Sequence, residues 1–464
     1  MNNRYKGHFL FALTIAIVFA SCNIRKRYET PDVNTQGLYR DQSSADTNTI
    51  ADLPWKQVFG DTQLQSLIEE GIKQNPDLQI AYARIQQSEA YLKQSRAAFL
   101  PSLSGTASAT INKLSDAQGG NFINNTRIYQ AGLSSSWEAD LWGRLGSTRR
   151  ASLATLLQSE AYKNAVQTGL IANIANNYYL LLALDQQLAI TEKTVQNWVS
   201  TVETMRTLKE AARVTGAAVV QSEANRYAAE VTIPDLKQRI RETENALSTL
   251  LGRAPGPIAR GNLDQQNTLS ALPTGIPAQL LSNRPDVQQA EYNYRYFFEN
   301  TNAARSYFYP SLSITASGGL SNTDLKNYFS PGSVFASVVG SLTQPIFNKR
   351  LNKTRLEVAK AQQQEALLAF QRSLLTAGQE VSNAMWSYRT SLDKNASREK
   401  QIASLQKSIE YTEELLRYGS ANYVEVISAQ QSYLSAQLNS VNDRLQQLQS
   451  VVSLYRSLGG GWQQ

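Results

Sequence analysis

The sequence predicts a mainly α-helical chain written twice, each half of which also carries two β-strands patterned to cross a membrane. Three observations predict it. Motifs recur in the same order at a nearly constant separation, four runs alternate apolar residues with small or polar ones, and two very long stretches keep helical patterning without a proline.

The repetition is the firmest of the three. Pro76 of NPDLQ and Pro285 of RPDVQ stand 209 residues apart, as do Pro101 and Pro310 of the two PSLS copies. Around the second pair, Phe99, Thr106, Ala107 and Ser108 have identical partners in Phe308, Thr315, Ala316 and Ser317. RLGSTR from Arg144 pairs with RLNKTR from Arg350 at an offset of 206, EAN at Glu223 with SAQ at Ser428 at 205, and LLGR at Leu250 with SLGG at Ser457 at 207. This is a tandem duplication. It divides the chain into a signal segment (1–21), a tether (22–50), a first repeat (51–260), a linker (261–277) and a second repeat (278–464).

Taken in order, the first element is removed before folding. A basic start (Arg4, Lys6), an apolar run from Phe9 to Ala20 and small residues before Cys22 describe a secretory signal, too short for a transmembrane helix. Cys22 is the single cysteine, so it forms no internal disulfide. FASC resembles the lipobox of bacterial lipoproteins, which implies that Cys22 becomes the lipidated first residue of the mature chain, a tether that needs a second membrane contact to hold firmly; the alternative is an incidental Cys in a cleavage region.

Next comes a helical pattern, AYARIQQSEAYLKQSRAAF, which stops at Pro101. Beyond it the period becomes two. Leu103, Gly105, Ala107, Ala109 and Ile111 share one face, and Ser104, Thr106, Ser108 and Thr110 the other. After a polar loop, DAQGGNFINN, a second run sets Tyr129, Ala131, Leu133, Trp137 and Leu141 against Gln130, Ser134, Ser136 and Glu138. The second half repeats the pair: Leu312, Ile314 and Ala316 against Ser313, Thr315 and Ser317, then Val334, Ala336, Val338 and Leu342 against Ser337, Ser341 and Thr343. Strands of about ten residues, apolar on one side and small and polar on the other, with aromatics near the ends, suit a transmembrane barrel. A soluble sandwich is the alternative, but Ser and Thr are too small and polar to fill a core.

Each strand pair precedes a helical stretch, Ser147 to about Leu208 and Asn352 to about Leu416, with no Pro and one Gly apiece. About 60 helical residues extend ~90 Å, longer than any globular core requires. Breaks at Gly216 and Gly419 then return helical patterning to Leu251 and Leu458, so each half ends in a long helical hairpin. Pro234 interrupts the first return helix alone and predicts a kink there.

The only histidine, His8, lies in the signal. Without imidazole or free thiol, the mature chain lacks the usual zinc sites, Cys nucleophiles and Ser–His arrangements. No catalytic residue, metal or cofactor is expected. The net charge of +7 is spread out, with Arg25, Lys26 and Arg27 its tightest cluster, and gives no nucleic-acid surface.

Four strands do not close a barrel, and unpaired strand edges cannot face lipid. Other copies must complete it. Two copies would give eight strands around an interior filled by side chains; the small polar lining argues for three copies and twelve strands.

At this point the chain resembles the TolC-type outer-membrane efflux ducts, in their OprM- and NodT-like lipoprotein branch. The residues that carry the resemblance are FASC, YETPDV at Tyr28, SWEADLWGRLGSTRR from Ser136, LPTGIPAQLLSNRPDVQQAE from Leu272, YFYPSLSITASGG from Tyr307, QPIF at Gln344 and LYRSLGGGW at Leu454. The resemblance implies a homotrimer in the bacterial outer membrane, lipid-anchored and continued by an α-helical barrel into the periplasm. It would passively export small molecules, drugs or metals among them, received from an inner-membrane RND-type pump through a periplasmic adaptor. A duct for type I protein secretion, or a non-conducting scaffold lipoprotein, are the alternatives. The hairpin tips around Arg213 and Gly216, and around Arg417 and Gly419, would dock the adaptor. Val424 matches an apolar gate position. Ser428 and Val220 fall where relatives carry acidic residues, leaving Glu425 and Glu223 as candidate constriction charges, or as an ordinary solvated helix face. Ser104, Thr106, Ser108, Ser313, Thr315 and Ser317 would line the lumen.

Overall fold

Pro101 and Pro310 each stand one residue before a strand, ending a helix and opening a sheet. The computed structural model describes residues 24–40, 47–113, 125–266 and 272–463. The signal segment, Cys22 and all but the last residue of DAQGGNFINN lie outside the described residues.

The order of elements repeats. The first half runs α1 (Thr62–Gln74), α2 (Pro76–Ala97), β1 (Ser102–Lys113), β2 (Asn125–Ala139), α3 (Arg144–Glu210), α4 (Gly216–Glu230) and α5 (Thr232–Leu250). The second runs α6 (Pro285–Ser306), β3 (Ser311–Asn322), β4 (Val334–Thr343), α7 (Leu351–Arg417) and α8 (Tyr423–Ser457). Both α2 and α6 have 22 residues, both α3 and α7 have 67, and both β1 and β3 have 12. At 1.5 Å per residue the 67-residue helices extend ~100 Å. Pro234 sits in the first turn of α5. It has no N–H for the Glu230 carbonyl, and the helix is interrupted at Val231 while α8 runs unbroken. Leu141, expected at the end of the second alternation, falls in the turn after β2. There Asp140 accepts from the backbone N–H groups of Leu145 (2.9 Å) and Gly146 (2.8 Å) and starts α3.

The chain folds as two units. The first comprises Met1–Asp32, Ile85–Ser159 and Ala290–Phe370, and holds the sheet. It is an antiparallel meander in the order β1-β2-β3-β4. Two indoles pin its strand–helix corners: Trp137 Nε1 donates to the Phe99 carbonyl (2.9 Å) and Trp142 Nε1 to the Pro310 carbonyl (2.7 Å). Among the described residues no helix is long and apolar enough to cross a membrane.

The second unit, Val33–Arg84, Glu160–Gln289 and Gln371–Gln464, is helical. Its core holds Trp55, Phe59, Ile171, Ile174, Tyr178 and Leu181, all nearly inaccessible. The duplication is visible in how each return helix ends. Gly252 (φ +70°) and Gly459 (φ +91°) both close the helix in the left-handed conformation, with Arg253 N–H donating to the Ser248 carbonyl and Gly460 N–H to the Tyr455 carbonyl. One buried side chain then takes the same terminal carbonyl in each half. Asn75 Nδ2 donates to Leu250 O (2.9 Å), and Arg284 Nη1 donates to Ser457 O (2.9 Å). Arg284 needs neutralising there and finds it in Asp286 (2.6 Å) and Glu380 (2.7 Å).

Candidate functional site

Two places in the chain carry the residues that the sequence singles out: one face of the sheet, and the turns between the long helices.

On the sheet, register decides which side chains share a face, because directly paired residues point the same way. Ser104 pairs with Ser134, Ser134 with Ser317, and Ser317 with Ser337. Four serines thus form one row across the four strands, and the Oγ atoms of Ser104 and Ser134 are 2.8 Å apart. Ser102, Ser136, Thr315 and Val339 form a neighbouring row, and Glu138, Ser313 and Ser341 another. Ser108 lies opposite Gln130 and Thr106 opposite Gly132. All six sequence-predicted lining residues therefore lie on a single face. The opposite face carries Leu103, Leu133, Ala316, Val338 and Leu342, and Leu103, Leu133, Val338 and Leu342 are all exposed in the protomer. Sequence reading missed Gly132 and Gly319, which are register partners on the polar face. A Cβ on Gly132 would fall 2.7 Å from the Gly318 carbonyl oxygen, so the backbones approach too closely there for any side chain.

At the turns, both long helices end in the same way. Arg213 N–H donates to the Leu208 carbonyl (2.8 Å) and Ala212 N–H to Lys209; Ser420 N–H donates to Leu415 (2.9 Å) and Gly419 N–H to Leu416. These are paired Schellman closures, each needing one left-handed residue. Gly419 fills that place in the second half at φ +77°, but in the first half it is Ala212 at φ +54°. Gly216, expected to mark the break, is instead the first residue of α4, with the break at Ala211–Thr215 before it. Carrying the Gly419 position back by 207 residues would have found Ala212.

Buried Met205, Ala218 and Val219 join the two turns with half-buried Leu208, Val214, Leu416 and Tyr423. Arg213 Nη1 donates to the Arg417 carbonyl at 3.0 Å. Val220, Val424, Glu425 and Ser428 are exposed on α4 and α8. Glu223 is bound by Arg206 at 2.6 Å, whereas Glu425 has no ion-pair partner among the described residues. Glu425 lies in the first turn of α8 behind the Asn422 cap, where the helix dipole favours a carboxylate without any further role. Beside the turns, α3, α7 and α8 enclose a groove of about 570 Å³ floored by Trp198 and Met205.

The comparisons with known proteins agree with this geometry. A family model described as outer membrane efflux protein matches residues 67–253 and 276–460. The chain is 30% identical over 457 residues to the probable efflux pump outer membrane protein TtgC of Pseudomonas putida strain KT2440, covering 96% of this chain and 94% of that one. It is 27% identical over 472 residues to the cation efflux system protein CusC of Escherichia coli O6:H1 strain CFT073, covering 98% and 99%. The solved structure of the outer-membrane channel OprN matches with a TM-score of 0.89 at 26% identity, covering 96% of this chain and 100% of that one. With both repeats matched and the relatives spanned nearly end to end, the chain belongs to the outer membrane efflux protein family, TolC-like channels of the bacterial outer membrane that extend into the periplasm and perform no catalysis.

Proposed function

We propose that three copies of the chain close a twelve-stranded barrel and serve as the exit duct for small molecules passed from an inner-membrane RND-type pump by a periplasmic adaptor. The observation that carries this reading is the serine row Ser104–Ser134–Ser317–Ser337 on a four-stranded sheet whose outer strands, β1 and β4, are each paired on one side only among the described residues. A small polar face suits a wet lumen, the apolar face suits lipid, and the two open edges require neighbours in a membrane. Three copies extend the row to a girdle of hydroxyls that passes solutes without holding them.

The tips around Arg213, Gly216, Arg417 and Gly419 would meet the adaptor, and Val220, Val424, Glu425 and Ser428 would face the constriction. Of the two carboxylates, Glu425 is the better candidate for a constriction charge, because Glu223 is occupied by Arg206. Cys22 would carry the lipid that anchors the chain to the outer membrane. Relatives are named for the efflux of toluene, antibiotics and cations, so the cargo belongs among small molecules. Planar-bilayer recording of the purified protein tests the proposal. Discrete conductance steps are expected, more frequent when the tips are loosened; none at all, even then, would sink it.

A further inference from the structure

The first residues after the lipid site are built into the sheet-bearing unit. Asn302 clamps the Lys26 backbone, accepting its N–H at 3.2 Å and donating to its carbonyl at 3.0 Å. The Tyr28 ring packs edge-on to Phe298 at 5.4 Å and its hydroxyl donates to Glu291, as does Thr30. Arg295 stacks over the same ring. Arg25 lies across Gly143, in the turn from β2 into α3, so closely that a Cβ there would fall 2.6 Å from its Nε. This explains an asymmetry between the halves. Counted from the starts of α3 (Arg144) and α7 (Leu351), which stand 207 apart where the RLGSTR and RLNKTR motifs suggested 206, the residue matching Gly143 is Arg350, which holds nearly the same left-handed φ (+67° against +73°) without being glycine. There the Arg350 side chain reaches along α7 to Glu357 (3.2 Å).

The docked tether leaves Arg25, Lys26 and Arg27 exposed, and none of the three is in an ion pair among the described residues. They border a cavity of about 720 Å³ lined by five cationic side chains and two carboxylates. Of these two, Glu299 is held by Arg150 at 2.7 Å and Glu291 accepts the Tyr28 and Thr30 hydroxyls. The uncompensated charge is therefore positive. It sits at the strand–helix corner beside Gly143 and Trp142, which in the proposed barrel would lie at the periplasmic edge of the membrane.

We infer that this cluster is a binding site for the phosphodiester headgroup of an anionic glycerophospholipid of the inner leaflet. The tether thereby supplies a second, electrostatic membrane contact beside the lipid chain. The inference rests on the membrane placement of the strands, and its test reports that placement separately. Full-length protein is reconstituted with brominated phosphatidylglycerol or brominated phosphatidylcholine, and tryptophan quenching gives the relative affinity for each. Quenching by the zwitterionic lipid confirms insertion. The wild type is expected to prefer phosphatidylglycerol by about fivefold or more, the contribution of one basic residue at an anionic surface. R25Q/K26Q/R27Q is expected to fall to near parity, and R25K/R27K to keep the preference. Should the triple variant fail to insert, K26Q alone decides: a smaller preference supports the site, an unchanged one overturns it. Equal quenching by both lipids in the wild type, or a preference undiminished in an inserted triple variant, also overturns it. Loss of the preference in inorganic phosphate but not in chloride of equal ionic strength would assign a free-phosphate site instead.

Discussion

Arg213, in the turn between α3 and α4, donates from Nη1 to the carbonyl oxygen of Arg417, the last residue of α7, at 3.0 Å. It is a cation set on the negative end of a 67-residue helix, and it ties one hairpin tip to the other. If the tip arrangement seen here is the closed one, this bond helps to hold it. R213A is then expected to raise the ratio of open to closed channels about two- to five-fold, the Boltzmann equivalent of about 0.5–1 kcal/mol for an exposed charge-assisted hydrogen bond. Open probability in planar bilayers checks it. An unchanged ratio would remove the bond from the gate.

The two Schellman turns differ in one residue, and the difference is testable. Ala212 holds a left-handed conformation that glycine adopts without steric cost. A212G is expected to stabilise the first tip by a net of about 0.5–1 kcal/mol, after the added backbone entropy of glycine is subtracted. Slower amide exchange at Arg213, whose N–H closes the turn, is the readout. G419V makes the opposite change. No atom lies within 4 Å of where its Cβ would go, so the penalty is in the backbone alone. Export should fall in a pump-dependent strain while trimer formation holds.

Much of this was legible in the sequence because periodicity and repetition are local properties. The strand faces followed from alternation, and pairing placed Ser104, Thr106, Ser108, Ser313, Thr315 and Ser317 together as the pattern required. What was not legible depends on tertiary partners. The polar sequence around Glu223 gives no sign that Arg206, seventeen residues earlier, binds it across the hairpin. Asn75 and Arg284 look unrelated, yet each caps the same carbonyl in its half. Gly216 misled because glycine is common at helix ends, whereas the residue that turns left-handed is Ala212, held there by two backbone hydrogen bonds. The matched helix boundaries also fix the offset at 207 over the hairpins, which sets Glu223 opposite Gln430, not Ser428.

Asp61 links pH to stability. Burial alone would raise its pKa, but hydrogen bonds from Tyr178, Gln266 and the N–H groups of Gln63 and Leu64 hold it below the ordinary carboxylate value. A carboxyl lowered on folding stabilises fully above its unfolded pKa of about 3.9, and the contribution is lost as pH falls through the folded value. D61N should therefore lower stability by about 2 kcal/mol at pH 7, the worth of hydrogen bonds to a charged acceptor. The gap between the melting temperatures of wild type and variant should narrow as pH falls below about 4. A gap independent of pH would mean that Asp61 acts only through its shape.

Cys22 is the only residue expected to carry lipid. C22A should lose the acyl chains, seen as a mass decrease of the mature protein, yet still insert, because the strands and not the anchor supply the spanning surface. A wholly soluble variant would contradict that division of labour.

The strand faces give the sharpest contrast. Ser337 and Val338 are neighbours on β4 at the same depth, but Ser337 pairs with Ser317 in the serine row and Val338 with Ala316 on the apolar face. Val338 is 77% exposed in the protomer and shares its face with exposed Leu103, Leu133 and Leu342, a contiguous apolar patch of the kind that marks a membrane or protein contact. In a C22A background, S337C and V338C each offer one thiol. In sealed proteoliposomes a charged, membrane-impermeant maleimide should label S337C through the lumen. V338C, covered by acyl chains, should stay unlabelled until detergent removes them. If both thiols react at the same rate in the intact membrane, both faces of the sheet are wet and β4 is not part of a barrel wall.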